Sequence, residues 1–162
     1  MKPQAQALYN RSLLDFGHLA DYQLMGLCIK EEAGGEPYEG RVGVGTVILE
    51  RVDHRDWDGK TIQDVILWPY QFSWTLPSDP ERADAVKIAR DFDSLYVLSK
   101  PLAECVDIAR GLIGGTVPRT PDLAAVNCCQ YLNPTVAPKV NAQWLAAGMK
   151  VIKTIGRHQF FV

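Results

Sequence analysis

At 162 residues with 47% hydrophobic side chains, the chain is sized for one compact domain with a real core and is too short for two. Its 17 Lys and Arg stand against 19 Asp and Glu, and no basic cluster runs along one face to track a phosphate backbone, which argues against nucleic acid as a partner. The N-terminal stretch has only short apolar pieces, broken by Asn10, Arg11, Asp15 and Asp21. That is the pattern of neither a signal peptide nor a membrane span, so we expect cytoplasmic synthesis without a signal peptide and no membrane insertion.

In chain order, residues 1–20 read as an N-terminal extension and residues 21–162 as the body of a single domain. Tyr22 to Ala33 reads as a helix with Asp21 as its N-cap and Leu24, Met25, Leu27, Cys28 and Ile29 as its apolar stripe. Gly34 and Gly35 stop it. Pro37 suits the first turn of a second helix reaching about Val52, in which Gly40, Gly43 and Gly45 would let another element approach closely. Thr61 to Leu67 reads as a short helix, Trp68 to Pro80 as a loop, and Pro80 to Arg90 and Pro101 to Ile113 as two more helices. Ala124 to Pro134 reads as a strand, the stretch NAQWLAAG as a short helix, and Met149 to Val162 as two strands turning near Gly156. Helices dominate and strands come late, an α+β class with a small late sheet. No internal repeat or low-complexity segment marks a second module.

Common catalytic signatures are missing. Cys28, Cys105, Cys128 and Cys129 lack CxxC spacing and read as buried free thiols. His18, His54 and His158 share no spacing that would aim two rings at one metal, so neither metal nor cofactor is expected. No GxSxG elbow is present. The stretch GEPYEGRV resembles a phosphate loop, but Arg41 replaces the lysine, Val42 offers no hydroxyl, and Glu36 and Glu39 put negative charge where phosphates would lie.

Glu32 stands out instead. At 100° per residue, the apolar residues from Leu24 to Ile29 average to a direction about 35° from Glu32 and about 65° from Glu31. A carboxylate on the core side must be neutralised, paired or left in a cleft. Burial and the negative end of the helix dipole both raise its pKa, the condition for a general acid near neutral pH. From spacing alone, a buried ion pair with Arg41 or Arg51 explains the same position equally well.

Four stretches in this order, EEAGGEPYEGRVGVGTVILERV, QFSW, YLNP and IGRHQFF, resemble the catalytic domain of SleB/CwlJ-type cell-wall hydrolases, the spore-cortex-lytic enzyme family. The likeness covers about Tyr22 to Thr75 and Asn127 to Val162, while Leu76 to Val126 carries no recognised motif. Gly34 and Glu50 stand where the family usually has the arginine of EARGEP and the asparagine of ILNRV. The resemblance implies a lysozyme-like, lytic-transglycosylase-like fold that cuts the peptidoglycan glycan strand between N-acetylmuramic acid and N-acetylglucosamine. It places the catalytic glutamate on Glu32. By the same resemblance Glu36 is the second acid of the motif, with helix capping or an arginine pair as its other role. Phe72 and Ser73 would line the cleft, and Tyr131 and Asn133 would flank the glutamate and hold a sugar amide or the transition-state oxygen; for Tyr131 a core role is the other reading.

Read this way, the chain is a compact single-domain phage endolysin, made in the cytoplasm and reaching the wall by a holin-dependent route, or a virion-associated wall-cutting protein. With one protected glutamate, the expected reaction is that of a lytic transglycosylase giving 1,6-anhydro-muramic acid. A muramidase would need a second carboxylate, Glu36 or an acid from Leu76 to Val126. A non-catalytic glycan-binding or phage structural module would bind wall without clearing it.

Overall fold

The computed structural model describes residues 2–54 and 59–162. Helices α1 (Pro3–Phe16), α2 (Asp21–Ala33), α3 (Tyr38–Asp53) and α4 (Ile62–Leu67) lead to a single 3₁₀ turn at Ser73–Thr75. Helices α5 (Arg82–Arg90), α6 (Phe92–Leu98), α7 (Lys100–Gly114) and the one-turn α8 (Pro121–Ala124) follow. Strand β1 (Gln130–Leu132), helix α9 (Pro138–Ala146) and the hairpin β2 (Val151–Ile155) and β3 (His158–Phe161) complete the described chain. The class is the mainly helical α+β expected, with a small late sheet.

Two helices form the interior. In α2 every residue from Leu24 to Ile29 is buried, and in α3 every residue from Val42 to Arg51. Helices buried on nearly all sides need neighbours on all sides, and α2 finds them in α3, α4 and α7. Close approach depends on missing side chains: a Cβ at Gly26 would lie 2.7 Å from the Val106 Cα of α7, and one at Gly43 would lie 2.8 Å from the Phe160 ring of β3. The antiparallel sheet runs in the order β1-β3-β2, pairing Tyr131 with Phe160 and Ile155 with His158. Its Phe160 joins Val47, Leu123 and Cys128 in a second, smaller apolar cluster.

Several boundaries differ from the sequence reading for local reasons. Ala20, not Asp21, is the N-cap of α2; its backbone N–H donates to Gln23 Oε1 at 2.9 Å, and Asp21 begins the helix at its positive end. Pro37 caps α3 from extended backbone instead of joining its first turn. The strand expected over Ala124 to Pro134 shrinks to three residues, because Pro121 opens a helical turn and Asn127 sits at φ 50°. The first 20 residues are not a bare extension: α1 buries Phe16 edge-on to Trp74 at 5.2 Å, and Tyr9 donates to Asp64 at 2.6 Å. Among the described residues the four cysteines are buried free thiols, and no helix is long and apolar enough to cross a membrane.

Candidate active site

The last turn of α2 brings Glu31 and Glu32 to a cleft of about 800 Å³. The loop after α4 contributes Tyr70, Gln71, Ser73 and Leu76, α3 contributes Arg51, and the segment from β1 into α9 contributes Tyr131, Asn133, Val140 and Trp144. The Tyr131 hydroxyl donates to Glu32 Oε2 at 2.9 Å. Burial is the main influence on Glu32 and carries its pKa from 4.5 to about 7. Tyr131 and the Arg51 guanidinium pull it back down, while Glu81 and Glu31 push it up. Burial, and then the Glu32 charge, raise the Tyr131 phenol well above its ordinary value, so it remains a donor. This is a carboxylic acid that can hold a proton near neutrality and release it to a form already solvated by a hydroxyl.

The alternative partners of Glu32 are placed elsewhere or differently. Arg41 pairs with Glu104 at 2.8 Å. Arg51 is buried, donates from Nε to the Cys129 carbonyl at 2.9 Å and lies 5.2 Å over the Phe72 ring, from where it acts on Glu32 by its charge. Glu31 is paired with Lys30 at 2.8 Å, and burial raises its carboxyl too.

Of the residues singled out in the sequence, Glu32, Glu36, Ser73, Tyr131 and Asn133 border one cleft. Phe72 does not: it is 2% exposed and packs in the core beneath Arg51. Glu36 reaches the cleft edge, but its carboxylate is taken by Arg157, through the backbone N–H at 2.9 Å and the guanidinium Nε. Burial alone would raise Glu36, yet these Arg157 contacts outweigh it and hold the carboxyl below its usual range. Tyr131 spends its proton on Glu32, which leaves only its oxygen as an acceptor for substrate. Asn133 uses Oδ1 to accept from Thr135 N at 3.0 Å, which orients its amide nitrogen. Glu50 is buried and paired with Arg119 at 2.9 Å. Sequence reasoning missed Tyr70, Glu81, Trp144 and His158 as cleft residues: Tyr70 lies in a stretch read as loop, and the helix, strand and motif assignments of the other three do not tell which side chains converge on one cleft.

Residues 35–161 match the family model described as Cell Wall Hydrolase. The chain belongs to the cell wall hydrolase family. The family match begins at residue 35, just after Glu32. A curated relative, a spore cortex-lytic enzyme of Oceanobacillus iheyensis, is 35% identical over 80 residues, which is 45% of this chain and 29% of the relative. The chain thus matches less than a third of that relative's length. Among solved structures, the catalytic domain of the Bacillus cereus SleB protein is 28% identical with a TM-score of 0.58, covering 88% of this chain and 89% of that one. The catalytic domain of the germination-specific lytic transglycosylase SleB from Bacillus anthracis is 27% identical with a TM-score of 0.55, covering 88% and 93%. These likenesses carry the lysozyme-like fold.

Proposed function

We propose that the chain degrades peptidoglycan as a lytic transglycosylase, cleaving between N-acetylmuramic acid and N-acetylglucosamine with Glu32 as its acid and base. The observation that carries this reading is Glu32 itself, in a cleft, with a pKa near 7 and a Tyr131 hydroxyl on its carboxylate. Glu32 gives its proton to the glycosidic oxygen as the C1–O bond breaks, and positive charge develops at C1 of the muramic acid. The resulting carboxylate, held by Tyr131 and facing the Arg51 charge, takes the proton of the 6-hydroxyl. O6 then closes on C1, and no water is consumed. Membership of the cell wall hydrolase family and the likeness to a lytic transglycosylase domain support the same substrate.

One observation favours a second reading, hydrolysis. Glu81, from the stretch without a recognised motif, lines the same cleft and raises Glu32 by its charge. It is the acid a muramidase would use to activate water, since Glu36 is committed to Arg157. Mass spectrometry of released muropeptides separates the two. We expect 1,6-anhydro-muramic acid ends, each one water lighter than the hydrolysed product, with Glu32→Gln losing both wall clearing and product and Glu31→Gln changing little. Reducing ends alone, lost again in Glu81→Gln, would replace the transglycosylase with a muramidase. The endolysin-like role and holin-dependent release belong to this proposal as well; lysis of expressing cells that occurs without a membrane pore would refute that part.

A further inference from the structure

Tyr70 combines features that packing within the chain does not explain. Its backbone sits at φ 68°, in the left-handed region where a Cβ crowds the following carbonyl and glycine is favoured. The residue is 62% exposed and lines the cleft that holds Glu32. Among the described residues its hydroxyl makes no hydrogen bond, whereas Tyr9 and Tyr131 each donate to a carboxylate. A glycine would adopt this backbone without strain and leave no ring in water. Strain of this kind is found where a ligand is held, and an exposed aromatic in a cleft offers a flat apolar face at small cost in side-chain freedom.

We propose that Tyr70 is a stacking platform for a pyranose ring of the glycan strand. The apolar C–H face of a sugar fits the electron-rich face of the phenol ring, and the left-handed backbone presents that ring to the cleft. Val136, Val140 and Trp144 supply further apolar surface in the same cleft, so the sugar's hydroxyl edge is left to polar groups such as Asn133. This inference rests on the reading that the cleft accepts peptidoglycan.

The test compares wild type, Tyr70→Gly and Tyr70→Phe on solubilised glycan strands, together with thermal melting. Removal of one aromatic contact should raise KM about three- to tenfold in Tyr70→Gly, with kcat within about twofold. Its melting temperature should be unchanged or higher, because glycine relieves the backbone. Tyr70→Phe should keep the wild-type KM, since the ring and not the hydroxyl does the binding. An unchanged KM in Tyr70→Gly overturns the proposal, as does a lowered melting temperature, which would make the ring part of the packing. A Tyr70→Phe protein as impaired as Tyr70→Gly would assign the effect to the hydroxyl and overturn it too. A wild-type protein inert on wall defeats the functional reading and this inference together, whereas an active wild type with an indifferent Tyr70→Gly defeats this inference alone.

Discussion

At the scale of single residues, Glu32 and Tyr131 form one proton-holding unit. The Tyr131 O–H stabilises the charged form of Glu32 against the larger effect of burial. General-acid function needs the protonated form, so kcat/KM on wall should be flat below about pH 6 and fall as pH rises through about 7. Tyr131→Phe removes the bond to the carboxylate, so the falling limb should move to higher pH while kcat drops roughly tenfold or more, the scale of one lost hydrogen bond to a charged group. A pH–rate profile for both proteins checks this, and an unmoved limb in Tyr131→Phe would mean that the hydroxyl does not tune the acid. Glu32 was legible in the sequence because helical phase turns it inward from α2. Its partner was named only through the YLNP resemblance, because a pair 99 residues apart has no local signature. Phe72 and Ser73 were both assigned to the cleft through the QFSW resemblance; Ser73 borders it, while Phe72 turns into the core beneath Arg51, a distinction the motif does not carry.

At the scale of elements, the β2–β3 hairpin fixes the entry into α3. Gly156, at φ 57° in the turn, places the Arg157 N–H against Glu36 Oε2, and a Cβ there would collide with that oxygen. Glu36 thus clamps the hairpin to the loop before Pro37. Arg157 is 65% exposed on its side chain, so solvent screens much of the ion pair, and the backbone bond carries more of the effect. We expect Glu36→Gln to cost about 1 to 3 kcal/mol in urea unfolding while clearing persists within a few-fold. Full stability with lost clearing would return Glu36 to the chemistry. Some elements were readable because their ends carry local signals. Helices α2 and α3, the α4 turn, α7 and the hairpin carry glycine, proline or cap residues at their ends, and their spans agree with expectation within a few residues. Helix α1 was missed because its outward side is interrupted by Asn10, Arg11 and Asp15, which hides the inward Phe16 and Ser12. Helix α6 was left unassigned because its seven residues are too few to show a helical period, although Phe92 is buried and stacks with Tyr96. Those elements are held by tertiary packing, to which local pattern is blind.

At the scale of the whole molecule, a carboxyl kept neutral in a cleft makes stability depend on pH in a way that identifies it. The folded pKa of Glu32 is raised above its unfolded value of 4.5 to about 7. Its contribution to stability is therefore fully present below about pH 4.5 and is lost as pH rises through about 7, because ionisation is easier in the unfolded chain. Other groups work in the opposite sense. Glu36 and Asp64 have lowered folded values, so their contributions are present above the unfolded carboxyl range and fade as pH falls through the folded one. His158, lowered by burial, likewise loses its contribution as pH falls below its unfolded value. The difference between wild type and Glu32→Gln removes most of that background, since Gln keeps an oxygen able to accept from Tyr131 but does not titrate. We expect the two proteins to match below about pH 4.5. By pH 8 the variant should be the more stable, by at most on the order of 3 kcal/mol, the value of a shift from 4.5 to about 7. Urea unfolding midpoints at four or five pH values between 4 and 8 measure it. An inactive variant that outlasts the wild type in alkali would show a site kept at the expense of stability. A difference that stays constant with pH would show that Glu32 titrates as an ordinary surface acid, and would remove the proton donor on which the transglycosylase reading depends.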